Sequence, residues 1–263
     1  MNTKKLNECK VIALAIQKGG VAKTTSSIAI SSVLAEYGFK VLLIDNDPQH
    51  NSTRSLLGSK EVDCSISNIM EDMMNFVNPK PNMGIIHTNE NFDILPASDS
   101  YAGIELRMIS IMNREYFLKK YIEQIREFYD YIIIDCPPNL GMLTVNALVA
   151  ADELLIPAQP QDYSATAIQQ VLNTVKMIWQ YPNPNLKIGG IFLTLFDKRR
   201  NEDKLMQQNI SVAFENINLF ETKIPYSVKV SEAARKRQSI IKYNDKCPVT
   251  IAYKGLVEEI LNG

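Results

Sequence analysis

The chain has 263 residues, of which 46% are apolar, and a formal net charge of -1. This length and apolar content allow one large domain with a sizeable core, and the balanced charge excludes a protein coated in positive charge but not a local basic patch. The four cysteines contain no C-x-x-C pair, so the sequence gives no support for a zinc or iron-sulfur site and favours reduced thiols.

Neither a targeting segment nor a membrane span is expected. The apolar run VIALAI at 11–16 ends at Gln17 and is too short for a signal peptide. No other stretch approaches the roughly eighteen apolar residues that a membrane span needs. We therefore expect a cytoplasmic protein.

Short β-branched runs alternate along the chain with amphipathic segments, which is typical of a parallel sheet with crossover helices. The runs are almost continuously apolar, as expected for strands that are buried on both faces. The predicted strands are 10–16, 40–45, 92–97, 130–136, 153–158 and 187–195, and the predicted long helices are 24–37, 101–128 and 164–179. Because no repeat, low-complexity stretch or linker interrupts the alternation, we expect residues 1–263 to form a single α/β domain.

The segment AIQKGGVAKTTSS, residues 15–27, lies between the first predicted strand and the first predicted helix. The usual phosphate-binding loop is Gly, four residues, then Gly-Lys-Ser/Thr, but Gln17 and Ala22 replace its two framing glycines. Backbone N–H groups of the turn can still wrap phosphate oxygens, and the helix directs the positive end of its dipole at them. We expect Lys23 to reach the β and γ phosphates of a nucleotide and Thr24 to offer its hydroxyl to Mg²⁺.

Two features of this loop need an explanation. Ala22 is strained by about 1 kcal/mol relative to glycine if its φ is positive. Lys18 is a second lysine that the general pattern does not require. A glycine turn without function is the less favoured interpretation, because the segment lies between a strand and a helix.

The octapeptide KGGVAKTT at 18–25 resembles the deviant Walker A motif of the ParA/Soj family of MinD-like partition ATPases, whose usual form is KGGVGKTT. In that family the first lysine, here Lys18, crosses an ATP-sandwiched dimer to contact the phosphates bound by the other subunit. Such a cation resembles an arginine finger, since it neutralises charge on the transferring phosphoryl group only when two subunits meet. The resemblance implies a doubly wound P-loop NTPase fold, ATP and Mg²⁺ as cofactors, and weak intrinsic ATP hydrolysis.

Two further motifs follow in the family's order. VLLIDNDPQHN at 41–51 resembles the DxDPQ switch segment, in which Asp47 would orient or activate the attacking water while Asp45 anchors the turn. DYIIIDCPPNLG at 130–141 resembles the Walker B segment, in which Asp135 would hold Mg²⁺ through a water molecule. Each aspartate alone is more often a turn or cap residue, but three motifs in order, each after a strand, favour the functional interpretation.

The resemblance covers nearly the whole chain and extends through the segments 188–201 and 222–243. It implies Lys18, Lys23 and Asp47 as catalytic residues and Thr24, Asp47 and Asp135 as metal-binding residues. The implied ATP-binding residues are Lys18, Gly19, Gly20, Val21, Ala22, Lys23, Thr24, Thr25, Thr194, Pro225 and Tyr226. In the family, the regions around Thr194 and Pro225 border the adenine.

A basic patch lies near the C-terminus of an otherwise acidic chain. Residues 223–246 carry seven basic side chains against Glu232 and Asp245, which gives +5 locally and -6 for the remainder. A basic run is often only a solvated helix face, but this asymmetry is also the footprint of a protein that binds the DNA backbone, and the family places DNA-contacting residues here. The expected DNA-binding residues are Lys198, Arg199, Arg200, Lys229, Arg235, Lys236, Arg237 and Lys242.

Other branches of the same class fit the sequence less well. A MinD-like protein ends in a basic amphipathic helix, whereas this chain ends in YKGLVEEILNG, so we expect no membrane partner. Iron-sulfur relatives need paired cysteines, and Cys136 stands alone. About nine residues precede the first predicted strand, so we expect no N-terminal helix-turn-helix extension.

The sequence therefore predicts a ParA/Soj-type ATPase for partitioning plasmid or chromosomal DNA. We expect an ATP-dependent homodimer that binds double-stranded DNA of any sequence, associates with the nucleoid, and is stimulated by a ParB-like centromere-binding protein. One alternative is a related ATPase that positions a protein cargo with the nucleoid as scaffold, which needs the same residues. A more distant alternative is a binding or regulatory module with little hydrolysis.

Overall fold

A β-sheet forms the centre of the protein in the computed structural model, which describes residues 8–58 and 62–262. Within these residues the strands are β1 (Lys10–Leu14), β2 (Val41–Asp45), β3 (Ile86–His87), β4 (Asp93–Leu95), β5 (Tyr131–Asp135), β6 (Glu153–Ala158), β7 (Lys187–Phe196) and β8 (Leu219–Pro225). They form one sheet in the order β3-β4-β2-β5-β1-β6-β7-β8. The β3–β4 pair is antiparallel, and every other neighbouring pair is parallel.

Helices connect the parallel strands. In the described part of the chain they are α1 (Lys23–Glu36), α2 (Asn51–Leu57), α3 (Ile66–Met74), α4 (Ile104–Met108), α5 (Phe117–Ile125), α6 (Met142–Ala150), α7 (Ser164–Gln180), α8 (Asn201–Ala213), α9 (Val228–Arg235), α10 (Ile240–Tyr243) and α11 (Pro248–Asn262). Short 3-10 turns occupy Asp99–Gly103, Arg114–Tyr116 and Arg126–Phe128. None of the helices described here is both long and apolar enough to cross a bilayer.

The sheet is covered by helices on both faces. Successive side chains of β1 alternate between the two layers, so Val11 and Ala13 join one apolar core while Ile12 and Leu14 join the other. All four are fully buried. The first core includes apolar residues of α3 to α7, and the second includes those of α1, α10 and α11. The predicted doubly wound, mostly parallel α/β sheet in a single domain is confirmed.

The predicted helix over 101–128 is wrong. The chain forms α4, turns, and starts again at α5, with Asn113 in the left-handed region at φ 59° between them. Asparagine tolerates this conformation better than most residues. The guanidinium of Arg114 donates hydrogen bonds to the carbonyls of Ile109 and Ile111, which satisfies backbone groups that a continuous helix would have paired internally.

The remaining sequence predictions differ from the structure mainly at element ends. The strand predicted over 153–158 matches β6, and the strand predicted over 10–16 is shorter because β1 ends at Leu14 before the glycine turn. The strand β8 was not predicted. It is an edge strand with the sequence LFETKIP, and its charged and polar residues interrupt the apolar run that marks the buried strands.

The topology brings the functional motifs to one edge of the sheet. Strands β1, β2 and β5 are adjacent and parallel, and their carboxyl ends all reach the same side. Leu14 at the end of β1 and Asp45 at the end of β2 both pair with Asp135 at the end of β5. The three sequence motifs therefore lie side by side at the carboxyl ends of neighbouring strands. Open α/β sheets bind ligands at this edge.

Candidate active site

The loop between β1 and α1 forms one wall of an open cavity of about 440 Å³. Gly20 has φ 75° and Ala22 has φ 60°, so the backbone is left-handed at two nearby positions before α1 begins at Lys23. Successive N–H groups in such a turn form a concave surface for anions. The cavity is lined by Gly19, Gly20, Ala22, Lys23, Thr24, Thr25, Asp47, Asn51, Ser55, Pro138 and Leu195.

Lys23 begins α1 and is only 7% exposed. Its Nζ donates a hydrogen bond to the backbone carbonyl of Lys18 over 3.0 Å, which closes the loop on itself. Burial lowers the pKa of the Lys23 ammonium, and the nearby carboxylate of Asp135 opposes this shift. The side chain is thus a nearly desolvated cation at the cavity wall, which is suited to binding a phosphate group.

Two buried carboxylates lie at adjacent strand ends beside the loop. Asp45 and Asp135 are fully buried, and burial raises the pKa of both carboxyl groups. Thr53 donates its backbone N–H and its hydroxyl to Asp45 Oδ2, each over 2.7 Å. Ser27 and Ser52 donate their hydroxyls to Asp135 over 3.1 and 2.7 Å. These four donors hold both carboxylates in fixed orientations.

Asp47 lies at the start of the turn after β2 and is 6% exposed. Its Oδ1 accepts a hydrogen bond from the backbone N–H of Gln49 over 2.9 Å, and its carbonyl accepts one from the N–H of His50 over 2.8 Å. The carboxylate borders the same cavity as Lys23 and Thr24. Asp47 is therefore held rigidly against the space that a bound phosphate would fill, while Asp45 anchors the turn as expected.

The residues predicted to bind metal provide only oxygen donors, which are the ligands that Mg²⁺ prefers. These donors are the hydroxyl of Thr24 and the carboxylates of Asp47 and Asp135. In residues 8–58 and 62–262, no group of three or more His, Cys, Asp or Glu side chains could hold a metal ion. A small set of oxygen donors from Thr24, Asp47 and Asp135 fits Mg²⁺, which takes few protein ligands and completes its shell with water and phosphate oxygens.

Lys18 points away from the phosphate cavity. Its Nζ lies 3.2 Å from Ser164 Oγ, 3.4 Å from Gln161 Oε1 and 3.4 Å from the Asp162 carbonyl. Ser164 is the first residue of α7, whereas Gln161 and Asp162 belong to the loop between β6 and α7 and line a neighbouring cavity of about 620 Å³. Burial lowers the pKa of the Lys18 ammonium, and Asp162 opposes the shift. In a single subunit, the two lysines of the loop thus occupy different sites.

Two predicted ATP-binding residues lie beneath the loop rather than on its open face. The side chain of Val21 is fully buried in the core. Thr194 is also fully buried, and its hydroxyl donates to the Val21 carbonyl over 3.0 Å. Thr194 thus supports the loop from β7, and because the Val21 side chain is in the core, any contact of Val21 with phosphate would come from its backbone.

Pro225 and Tyr226, the other residues predicted near the adenine, line a separate cavity of about 540 Å³. Lys198 and Arg199, predicted to contact DNA, line the same cavity. Within this surface Arg199 makes a two-pronged ion pair with Asp197, with Nη2 to Oδ2 at 2.8 Å. The residues predicted to border the adenine thus lie beside two of the residues predicted to contact DNA.

The other predicted DNA-binding residues occupy different local environments. Arg200 pairs with Glu202 over 2.7 Å, and Lys229 pairs with Glu232 over 3.0 Å. Lys242 donates to the backbone carbonyl of Asn89. The remaining residues, Arg235, Lys236 and Arg237, are exposed around the C-terminal end of α9.

Four polar residues that connect the phosphate cavity to the carboxylates are not among the residues predicted from the sequence. Asn51 and Ser55 line the cavity, and Ser52 and Thr53 bond to Asp135 and Asp45. All four lie in α2, which begins at Asn51, the last residue of the switch segment. Polar residues on consecutive positions after a strand-end motif were the available signal, but a short polar helix of this kind has no apolar periodicity that would predict it.

We expect Ala22→Gly to stabilise the nucleotide-free protein by about 0.5–1 kcal/mol, because Ala22 has φ 60° and ψ 29° and glycine removes the left-handed strain. Thermal unfolding should show a rise in Tm of about 2 °C. Ala35→Gly in α1 is the matched control. Ala35 lies in a right-handed helix, so this change should lower the free energy of unfolding by about 1 kcal/mol. Equal effects of the two substitutions would contradict a strained Ala22.

Comparison with known proteins is consistent with this site. Residues 9–188 match the family described as AAA domain. The sequence is 37% identical over 254 residues to the sporulation initiation inhibitor protein Soj of Bacillus subtilis, covering 95% of this chain and 98% of that protein. It is 36% identical over 254 residues to the chromosome partitioning protein ParA of Myxococcus xanthus, covering 96% of this chain and 88% of that protein.

A solved structure extends the comparison to the fold. The crystal structure of cobyrinic acid a,c-diamide synthase from Mycobacterium smegmatis with a bound ATP analogue and magnesium aligns with a TM-score of 0.84 and 31% identity, covering 97% of this chain and 95% of that one. The similarity therefore includes the segments after β7 as well as the phosphate loop. Because a Soj and a ParA protein match over nearly their full lengths, and the three motifs meet at one sheet edge, the chain belongs to the ParA/Soj family of partition ATPases.

Proposed function

We propose that this chain is an ATP hydrolase that couples a nucleotide-dependent dimer to the partitioning of plasmid or chromosomal DNA. The observation that carries the proposal is the cavity of about 440 Å³ in which Lys23, Thr24 and Asp47 converge beside Asp135. A cation, a hydroxyl and a rigid carboxylate around one phosphate-sized space are the parts that phosphoryl transfer to water requires. The Soj and ParA relatives support the choice of partitioning over the positioning of a protein cargo.

The residues of the cavity divide the chemistry between them. The turn from Gly19 to Thr25 binds the phosphates through its N–H groups, and Lys23 neutralises charge on them. Asp47 orients the attacking water and accepts its proton. Thr24 and Asp135 would hold Mg²⁺, which bridges phosphate oxygens and neutralises developing charge when it is bound. Pro225 and Tyr226 would border the adenine.

Dimerisation with ATP would give Lys18 its role. In one subunit its ammonium lies beside Ser164 and Gln161 rather than in its own phosphate cavity. The Lys18 ammonium can therefore reach the nucleotide of a second subunit if it exchanges its contacts with Gln161 and Ser164 for phosphate oxygens of that nucleotide. A charge delivered only by the second subunit makes hydrolysis dependent on assembly.

DNA binding would follow from the exposed basic residues of the C-terminal half. Arg235 and Lys236 lie at the end of α9 without the carboxylate partners that Arg199, Arg200 and Lys229 have in the described residues. Two subunits present the surface twice, so the ATP-bound dimer should bind DNA of any sequence more tightly than the monomer does. A centromere-bound ParB-like protein would stimulate hydrolysis and release, which places the protein on the nucleoid for part of its cycle.

We expect the double variant Arg235→Ala/Lys236→Ala to weaken DNA binding while ATP affinity is retained. Non-specific affinity depends on counterion release, so log K for the parental protein should fall with log salt by about 0.9 for each phosphate contact. The double variant should have a shallower slope. The measurement is a salt titration of binding to a duplex of arbitrary sequence, with ATP present.

The matched control is Lys119→Ala/Lys120→Ala on α5, which packs on the opposite face of the sheet from α10 and α11. It removes two positive charges without touching the α9 surface, so it should leave slope and midpoint unchanged. An unchanged slope in the Arg235/Lys236 variant would move the DNA surface to the segment Lys198–Arg200. A parental protein with negligible ATP turnover, with and without DNA, would support a regulatory module instead.

A further inference from the structure

A short helix links the phosphate cavity to the basic surface. The helix α2 begins at Asn51, the last residue of the switch segment, and Asn51 and Ser55 line the phosphate cavity. Ser52 and Thr53 bond to Asp135 and Asp45 at 2.7 Å, so its first turn is tied to the strand-end carboxylates. Its seven residues span about 10 Å along the helix axis. A change at the phosphate site can therefore be transmitted as a movement of α2 as a whole.

The backbone at both ends of α2 is left-handed. His50 at the N-terminal end has φ 43°, and Gly58 at the C-terminal end has φ 72°. Residues other than glycine are uncommon in this region, although histidine enters it more readily than most, and His50 Nε2 lies 3.0 Å from Asp99 Oδ1. The helix is thus a distinct rigid unit between two sharp changes of chain direction, and such positions are where backbone rotation is absorbed when an element moves.

The C-terminal end of α2 meets the basic segment at Gly58. The helices α2 and α9 are in contact, and the guanidinium of Arg237 covers the Cα of Gly58 so closely that a methyl group at position 58 would overlap its Nε and Cζ. Arg237 is itself left-handed, with φ 56°. The positive φ at position 58 favours glycine, and the Arg237 guanidinium occupies the space that a Cβ at this position would take.

Hydrogen bonds to Glu90 fix the chain two residues after Arg237, at Ser239. The backbone N–H and the hydroxyl of Ser239 both donate to the buried carboxylate of Glu90, over 3.0 and 2.5 Å. Ser32 of α1 donates to the same carboxylate over 3.1 Å. Arg237 thus lies between a fixed anchor at Ser239 and the end of α2. If α2 shifts while these hydrogen bonds hold Ser239 in place, the Arg237 side chain changes position relative to Arg235 and Lys236.

We propose that α2 transmits the nucleotide state to the DNA-binding surface, and that Arg237 is the positioning residue that responds to the C-terminal end of α2. The inference rests on the proposed function, since it assigns regulation to the same two sites. Arg235 and Lys236 supply charge to DNA. Arg237 supplies charge as well, but its contact with Gly58 couples the charge to the phosphate cavity. By linkage, the same contact lets events at the basic surface change nucleotide affinity.

The first test separates charge from contact by comparing DNA affinity with a non-hydrolysable ATP analogue and with ADP. Arg237→Lys keeps the positive charge but loses the planar guanidinium that lies over Gly58. We expect the ratio of the two DNA affinities to fall by about fivefold or more in Arg237→Lys. Arg235→Ala should weaken DNA binding by the same factor in both nucleotide states, and so leave the ratio within about twofold.

The second test uses no DNA. Binding of fluorescent ATP and ADP analogues with Mg²⁺ should show that Arg237→Ala changes the ratio of ATP to ADP affinity by about threefold or more, although Arg237 does not line the phosphate cavity. Lys246→Ala, which removes an exposed charge beyond α10, should leave this ratio unchanged. Gly58→Ala should act like Arg237→Ala, and the double variant Gly58→Ala/Arg237→Ala should add little, because both changes remove one contact. Thermal unfolding of every variant verifies that it is folded.

The two proposals fail in different ways. If the parental protein binds no DNA in either nucleotide state, the DNA part of the proposed function fails, and the nucleotide-affinity test still decides the role of Arg237. If Arg237→Lys matches the parental protein in the first test and Arg237→Ala matches Lys246→Ala in the second, the coupling through α2 is wrong. Should Gly58→Ala fail to fold, the Arg237 variants decide the question alone.

Discussion

Replacing Asp47 with alanine is expected to lower the rate of ATP hydrolysis by about a hundredfold or more while ATP affinity stays within about threefold of the parental value. The Asp47 carboxylate borders the cavity, whereas the proposed function assigns phosphate binding to the loop and Lys23, which line the same cavity. The variant therefore loses the group that positions water but keeps the groups that bind nucleotide. The variant should accumulate as an ATP-bound dimer that remains on DNA, as measured by steady-state phosphate release beside equilibrium nucleotide binding.

Asp47→Asn is the matched variant for this prediction. Its side-chain carbonyl can still accept the hydrogen bond from the Gln49 N–H, which is 2.9 Å from Oδ1 in the parental protein. The turn is then preserved while the negative charge and the proton acceptor are lost, so hydrolysis should be as slow as in Asp47→Ala. Parental turnover in Asp47→Asn would show that the residue acts by shaping the turn. Parental turnover in both variants would remove Asp47 from the catalytic set.

Much of the fold and the phosphate site could be predicted because the relevant signals are local. The strand β6 was predicted over its full length, since a buried parallel strand is a continuous apolar run. The residues Lys23, Asp47 and Asp135 were predicted from motifs that each follow a strand, and parallel strands place such motifs at one edge. Topology alone then brings them together, although the motifs are far apart in the chain.

The features that could not be predicted depend on contacts between distant segments. Lys18 Nζ meets Ser164 Oγ across 146 positions of sequence, and no local pattern records that meeting. The break before α5 was missed because one left-handed asparagine, Asn113, and a capping arginine, Arg114, end a pattern that otherwise has helical periodicity. The contact of Arg237 with Gly58 could not be predicted either. A glycine at the end of a helix is common because of its backbone geometry alone, so Gly58 gives no sign of a distant partner.

The two lysines of the loop should differ sharply when each is replaced by alanine. Lys23→Ala is expected to weaken ATP binding by about a hundredfold or more, because it removes a buried charge-assisted contact to the phosphates. Lys18→Ala should keep ATP affinity within about threefold, since its ammonium lies outside the phosphate cavity of its own subunit. It should nevertheless abolish ATP-dependent dimerisation, because the charge delivered to the partner's phosphates is gone. Nucleotide binding measured beside the light-scattering mass distinguishes the two outcomes.

The control must show that Lys18 acts across the dimer and not through its contacts within one subunit. Gln161→Ala removes the side-chain oxygen that lies 3.4 Å from Lys18 Nζ and leaves the lysine in place. If the role of Lys18 is in the dimer, Gln161→Ala retains ATP-dependent dimerisation, because nothing that reaches the partner's phosphates has been lost. If instead Gln161→Ala loses dimerisation as fully as Lys18→Ala, the contact within the subunit shapes the interface and the trans role is wrong. Equal loss of ATP binding in Lys18→Ala and Lys23→Ala would also contradict the trans role, since it would place both ammonium groups on the phosphates of one subunit.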